Sequence, residues 1–240
     1  MPQIPVRTGI TMNYEITGSG EPLLLIMGTT GSIPLWGEFR AGFEGKYQVI
    51  AFDNRGLGGS ERGEGPISVD SLAEDASALL EALEIPRAHV LGWSLGSAIA
   101  QELALAHPEQ VASAVMYATW SACDGYQRSL LSALRLPYVH RDFETAMTAT
   151  GLAYSPEMLD RPDLAELMAP SLPFQPQTEE QMQVTVEQWD ADLAFDSRDR
   201  IPAITAPTLV VVGEQDLLTP PRQAKVGGQA VLGRQPTQTT

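Results

Sequence analysis

Short, uninterrupted apolar runs constrain this chain more than any other feature. LLLIM at 23–27, YQVIAF at 47–52, HVLG at 89–92 and TLVVVG at 208–213 are each bounded by turn residues. Continuous apolar runs of this length suit parallel strands buried on both faces. VASAVMYAT at 111–119 is a further strand candidate, and ITMNYEI at 10–16 partly alternates, as an antiparallel strand does. Helical patterns lie between the runs. Residues 69–84 put Leu72, Ala76, Leu79, Leu80 and Leu83 on one face, and Ser71-x-x-Glu74 offers a capping box. A second helix is expected from about Leu95 to His107, stopping before Pro108. Strands alternating with helices imply a parallel sheet flanked by helices.

The alternation breaks at about 121–200. That stretch carries several prolines, RLPYVHRDFETAM and EEQMQVTVEQW among its helical segments, and no strand-like run. It reads as a helical cap insertion, with residues 1–120 forming the first part of a core domain and 201–240 its final, incomplete part. The chain has 240 residues, 43% of them hydrophobic, so a sizeable core is available. Its net charge of −15 repels phosphate backbones and anionic lipid, which argues against nucleic-acid and membrane partners. One cysteine, Cys123, precludes an internal disulfide. The start lacks the pattern of a signal peptide, so a cytoplasmic protein is expected.

The chemistry concentrates at Gly92-Trp93-Ser94-Leu95-Gly96, a G-x-S-x-G pattern between a strand run and a helical run. In that context a strained turn lifts the serine above the sheet as a candidate nucleophile. Attack on a carbonyl needs amide donors for the developing oxyanion. The N–H of Leu95, directly after the serine, is one candidate. The loop LLLIMGTTGS supplies the other, through Thr29 after Gly28. FDNRGLGGSER at 52–62 reads as a structural turn, in which Asp53, Asn54 and Arg55 hydrogen-bond and the glycines permit positive φ.

These segments, together with APTLVVVGEQDLLTPP near the end, resemble the α/β-hydrolase superfamily over most of residues 5–222. In order they resemble its oxyanion loop, its D-x-R-G-x-G-x-S turn, its nucleophile elbow and its acid-bearing strand end. The motifs are most similar to the esterase and lactonase branches, including enol-lactonase-like and non-haem haloperoxidase-like proteins. A serine at the elbow argues against the branches that use an aspartate nucleophile. Met27 stands where much of the family has histidine. The resemblance implies an α/β fold with a mostly parallel sheet and a helical cap. It gives Asp216 the role of triad acid, with Asp124 as the runner-up.

A triad on this fold runs serine, acid, histidine. The three histidines, His89, His107 and His140, all precede Asp216. His89 starts the strand at the end away from Ser94 and His107 closes a helix, so both read as structural. His140 in the cap is a remote candidate base. The 24 residues after Asp216 hold no histidine. Thr219-Pro220-Pro221 suits a helix start, QAVLG is a feeble strand and GRQPTQTT is polar. The last strand and helix of the fold are therefore expected to be missing or altered, as in a truncated or frameshifted chain or a genuine pseudoenzyme. An exposed 208–213 edge would then favour self-association.

The expected function is a cofactor-independent serine hydrolase acting on a small-molecule carboxylic ester or lactone through an acyl-enzyme. It would be impaired by the missing base, and no metal site or cofactor motif is read. The alternatives are a non-catalytic protein binding a small apolar ligand under the cap, or an inactive fragment.

Overall fold

The computed structural model describes residues 1–224 and the backbone of 230–233. Eight strands form one sheet in the order β1-β2-β4-β3-β5-β6-β7-β8. They are β1 (Gln3–Pro5), β2 (Thr11–Gly18), β3 (Glu21–Ile26), β4 (Tyr47–Phe52), β5 (Ala88–Trp93), β6 (Val111–Tyr117), β7 (Thr208–Gly213) and β8 (Ala230–Gly233). β1 and β2 pair antiparallel with each other, and β2 pairs antiparallel with β4. Every pairing from β4 through β8 is parallel.

The apolar runs become central strands because both of their faces are covered. Leu24, Ile26, Ile50, Phe52 and Val90 belong to one core cluster. Leu23, Leu25, Met27, Val49, Ala51 and Leu91 belong to a second. Successive side chains point to opposite faces of a strand, so a run apolar at every position fits only a sheet covered on both sides. Leu24, Leu25 and Ile26 are wholly buried, and burial of such side chains stabilises by roughly 1.5–3 kcal/mol each.

Helix α1 (Val69–Ala82) packs against α2 (Leu95–Ala106). The cap of α1 differs from expectation. Ser68, not Ser71, is the N-cap, and Ser71 closes the reciprocal box by accepting from the Ser68 N–H. Serine at both positions satisfies two orphan donors of the first turn, and Glu74 is free to pair elsewhere.

Between β6 and β7 the chain forms α3 (Gly125–Val139), α4 (Phe143–Ala149), α5 (Pro156–Leu159), α6 (Leu164–Met168) and α7 (Glu179–Ala194). This excursion has a small core of its own, built from Tyr138, Ala146, Met182 and Val186. α7 also belongs to the main core through Val184 and Ala191. Among the described residues, no helix is long and apolar enough to cross a membrane.

The C-terminal strand narrows one expectation. QAVLG is not lost: Ala230–Gly233 pairs in parallel with Val210–Gly213, so β7 is not the edge of the sheet. The strand is only four residues long, so this part of the fold is altered rather than missing. The helix expected from Thr219 is not formed through Ala224, where only turn bonds from Gln223 to Pro220 and from Ala224 to Pro221 occur. Its continuation, and the closing helix, fall outside the described residues.

Candidate active site

Ser94 sits between β5 and α2 with φ 56° and ψ −124°, a conformation that L side chains rarely adopt. Backbone hydrogen bonds hold it. Its N–H donates to the Tyr117 carbonyl at 2.9 Å, and its carbonyl accepts from the Ser97 N–H and the Ser97 hydroxyl. The glycines on either side permit the geometry. A Cβ on Gly92 would strike the carbonyl of Gly96, and one on Gly96 would strike the carbonyl of Ile26. The elbow therefore exists because α2 starts in contact with β5 and β3. The N-terminus of this 12-residue helix lies beside the serine, where its dipole favours developing negative charge.

The loop after β3 approaches from the other side. A Cβ on Gly28 would come within 2.9 Å of the Ser94 Cβ and 3.5 Å of its Oγ. Glycine is what lets Thr29 follow so close to Ser94. Among the described residues the N–H groups of Thr29 and Leu95 have no acceptor. Thr30 takes φ 70°, and its N–H donates to Gln188 Oε1 of α7 at 2.9 Å. The Thr29 hydroxyl donates to Asp192 Oδ2 of the same helix at 2.8 Å. Sequence reasoning points to neither Gln188 nor Asp192. Burial pushes the Asp192 carboxyl up to about 8, with the Thr29 hydrogen bond opposing the shift.

Gly28, Thr29, Ser94 and Asp216 line one cavity of about 640 Å³. Its other walls include Trp93, Leu35, Leu218 and, from the helical excursion, Leu134, Tyr138, Tyr154, Met168 and Trp189. Asp216 accepts three hydrogen bonds from the turn that follows it. Oδ1 accepts from the N–H groups of Leu218 and Thr219, and Oδ2 accepts from the Thr219 hydroxyl. Burial first, and Asp216 second, raise the pKa of the Tyr117 phenol. Asp124 is instead the N-cap of α3, accepting from the Gln127 N–H and pairing with Arg222 at 3.1 Å. These bonds hold its carboxyl below the ordinary aspartate range, and it does not line the cavity.

None of the three histidines lines the cavity. His89 bonds to Ser113 and Glu21, and His107 bonds to Glu74. His140 is exposed at the C-terminal end of α3. The structure thus brings Ser94, Thr29, Leu95 and Asp216 together and leaves His140 outside. The reason is local: His140 caps a helix whose buried side is occupied by Leu131, Leu134 and Tyr138.

The 53–60 turn is structural, as its residues suggest. The buried Asp53 carboxylate accepts from Asn13, the Ile33 N–H and the Gly59 N–H. Asn54 donates to the Met27 carbonyl, bracing the loop that carries Thr29.

Residues 21–235 match the profile of the alpha/beta hydrolase fold family. The chain belongs to that family. Among curated α/β-hydrolase relatives, it is 32% identical over 210 residues to the protein named carbamate hydrolase RutD of Azorhizobium caulinodans, across 86% of this chain and 78% of that one. It is 30% identical over 217 residues to 3-oxoadipate enol-lactonase 2 of Acinetobacter baylyi, across 88% of this chain and 78% of that one. The crystal structure of the enol-lactonase from Burkholderia xenovorans superposes with a TM-score of 0.84 at 21% identity, covering 98% of this chain and 91% of that one. That last likeness bears on the fold.

Proposed function

We propose that this α/β-hydrolase is a cofactor-independent serine hydrolase that takes the acyl group of a carboxylic ester or lactone onto Ser94, under a lid formed by the 121–200 helices. The observation that carries the reading is the strained, positive-φ Ser94 at the N-terminus of α2, with Gly28 and Thr29 against it in one cavity. In this mechanism the Ser94 Oγ attacks the carbonyl carbon and the N–H groups of Thr29 and Leu95 receive the oxyanion. Solvent water takes the Ser94 proton, and the tetrahedral species collapses with loss of the alcohol, or with ring opening of a lactone, as water returns a proton to the leaving oxygen. The apolar, aromatic walls suit an ester with a hydrophobic acyl or alcohol part.

No histidine stands ready to take the proton of Ser94 or to activate the water that would release the acyl group. Loss of a triad member leaves roughly 10³–10⁴-fold catalysis over water from the oxyanion hole and binding. The expected activity is therefore slow acylation by activated esters and slower release, so that acyl-enzyme accumulates. The relatives named as an enol-lactonase and a carbamate hydrolase support an acyl-type substrate.

The test is intact-protein mass spectrometry after incubation with p-nitrophenyl butyrate, with Ser94→Ala in parallel. A butyryl adduct on the unmodified chain alone is the expected result. No adduct, with the ester nonetheless bound in the cavity, would favour a second reading, a ligand-binding protein, which the absence of histidine from the cavity wall also suits.

A further inference from the structure

The loop that carries Thr29 is not held by the sheet alone. Gln188 and Asp192 lie four residues apart on α7 and so share one face of it. Gln188 accepts the Thr30 N–H and Asp192 accepts the Thr29 hydroxyl, at 2.9 and 2.8 Å. Both side chains are buried, at 0% and 1% exposure. Two successive loop residues are thus gripped by two successive turns of one helix. The grip falls where the loop needs it, because Thr30 occupies the left-handed region without being glycine. A residue held there is strained and persists only where its surroundings over-determine it.

α7 is suited to the task. On its core side Val184 lies against the 53–60 turn, where a Cβ on Gly56 would meet Val184 Cγ2 at 2.6 Å. Arg62 pairs with Glu187 at 2.6 Å. On its other side Trp189 walls the cavity, and Met182 and Val186 join the small core of the helical excursion. The helix therefore touches the core, the excursion and the oxyanion loop at once.

We propose that Gln188 and Asp192 are positioning residues: through them α7 sets the backbone of Thr29 and Thr30, and hence the aim of the Thr29 N–H at the oxyanion. This rests on the reading of that N–H as an oxyanion donor. Asp192 serves as an uncharged acceptor. Its carboxyl is enclosed by protein, has one hydrogen-bond partner and an Oδ1 without any among the described residues, and keeps its proton at neutral pH. An asparagine should therefore replace it, and a leucine of similar size should not.

The experiment compares the full-length chain with Gln188→Leu, Asp192→Leu, Asp192→Asn and Thr29→Val. Two quantities decide, the amide exchange rate of Thr30 by NMR and the Ser94 acylation constant with p-nitrophenyl butyrate, and KM is recorded beside the latter. Melting curves confirm that each variant folds, and Thr29→Val removes the Asp192 bond from the loop side should Asp192→Leu fail to do so. Gln188→Leu should speed Thr30 exchange roughly five- to tenfold, as expected for one lost hydrogen bond. Gln188→Leu and Asp192→Leu should lower the acylation constant about 10- to 100-fold with little change in KM, as misplacement of a donor does. Asp192→Asn should keep both quantities near those of the unmodified chain. Unchanged Thr30 exchange in Gln188→Leu, or an Asp192→Asn as impaired as Asp192→Leu, would overturn the proposal. If the unmodified chain shows no Ser94-dependent acylation, the hydrolase reading falls separately, and Thr30 exchange alone decides whether the grip exists.

Discussion

Single atoms decide whether Ser94 can be a nucleophile. A methyl group on Gly96 would strike the Ile26 carbonyl, so Gly96→Ala must push α2 away from β3. We expect a loss of about 2–4 kcal/mol in denaturant unfolding, in the range of severe overpacking, and loss of Ser94 acylation. Gly42, where an added methyl would meet nothing within 4 Å, should accept alanine at little cost in the same assay. Asp192 gives a pH prediction. Its carboxyl rises from the ordinary value of 3.8 to about 8 in the folded chain, because burial disfavours the charge. Between those values the unfolded chain has released this proton and the folded chain has not, so this group lowers stability as pH rises from about 4 to about 8, and the effect levels off above. Asp192→Asn should remove that part of the slope and stabilise the protein at pH 8, as read by urea midpoints across the pH range. An unchanged slope in the variant would contradict the buried, protonated carboxyl. Cys123, the titratable neighbour, is itself pushed up to about 11 by burial and then by Asp192, and stays neutral throughout. The roles proposed for Ser94, Thr29 and Leu95 can be read from the sequence because they depend on neighbours in the chain. Gln188 and Asp192 are not, since their partners lie 158 and 163 residues away and a glutamine and an aspartate on a polar helix carry no local signal.

Secondary-structure elements are legible where their burial is two-sided. β4 coincides with its apolar run and is buried from Val49 to Phe52, and β7 coincides with its run as well, although Thr208 and Leu209 are exposed. β1, three residues with an exposed–intermediate–exposed pattern, has no such signature. The 53–60 turn depends on α1 in a way the sequence does not announce. Arg55 forms two 2.6 Å bonds to Asp75, with the side chains 5% and 1% exposed. Removing one partner of a buried pair strands the other charge and costs about 3–5 kcal/mol. Asp75→Ala should lower the urea midpoint accordingly, and Arg55→Met/Asp75→Leu together should recover much of the loss. A single variant as stable as the unmodified chain would mean that the pair contributes nothing net.

At the scale of the molecule, the sheet is extended by β8, so the exposed edge expected at 208–213 is covered from Val210 to Gly213. The sequence underrates this strand because four residues carry little pattern, and pairing with the strongly apolar β7 decides its conformation. Deleting residues 230–240 should bare that edge and produce concentration-dependent association in light scattering, and a deletion variant monomeric at every concentration would contradict it. The central proposal belongs to the same scale: that the α/β-hydrolase framework presents Ser94 as a reactive nucleophile although no histidine lines the cavity. The most direct measurement is peptide mapping by mass spectrometry after prolonged exposure to a fluorophosphonate. Slow labelling confined to Ser94, and lost in Ser94→Ala, is the predicted result. No label at Ser94, or label spread equally over other serines, would contradict it.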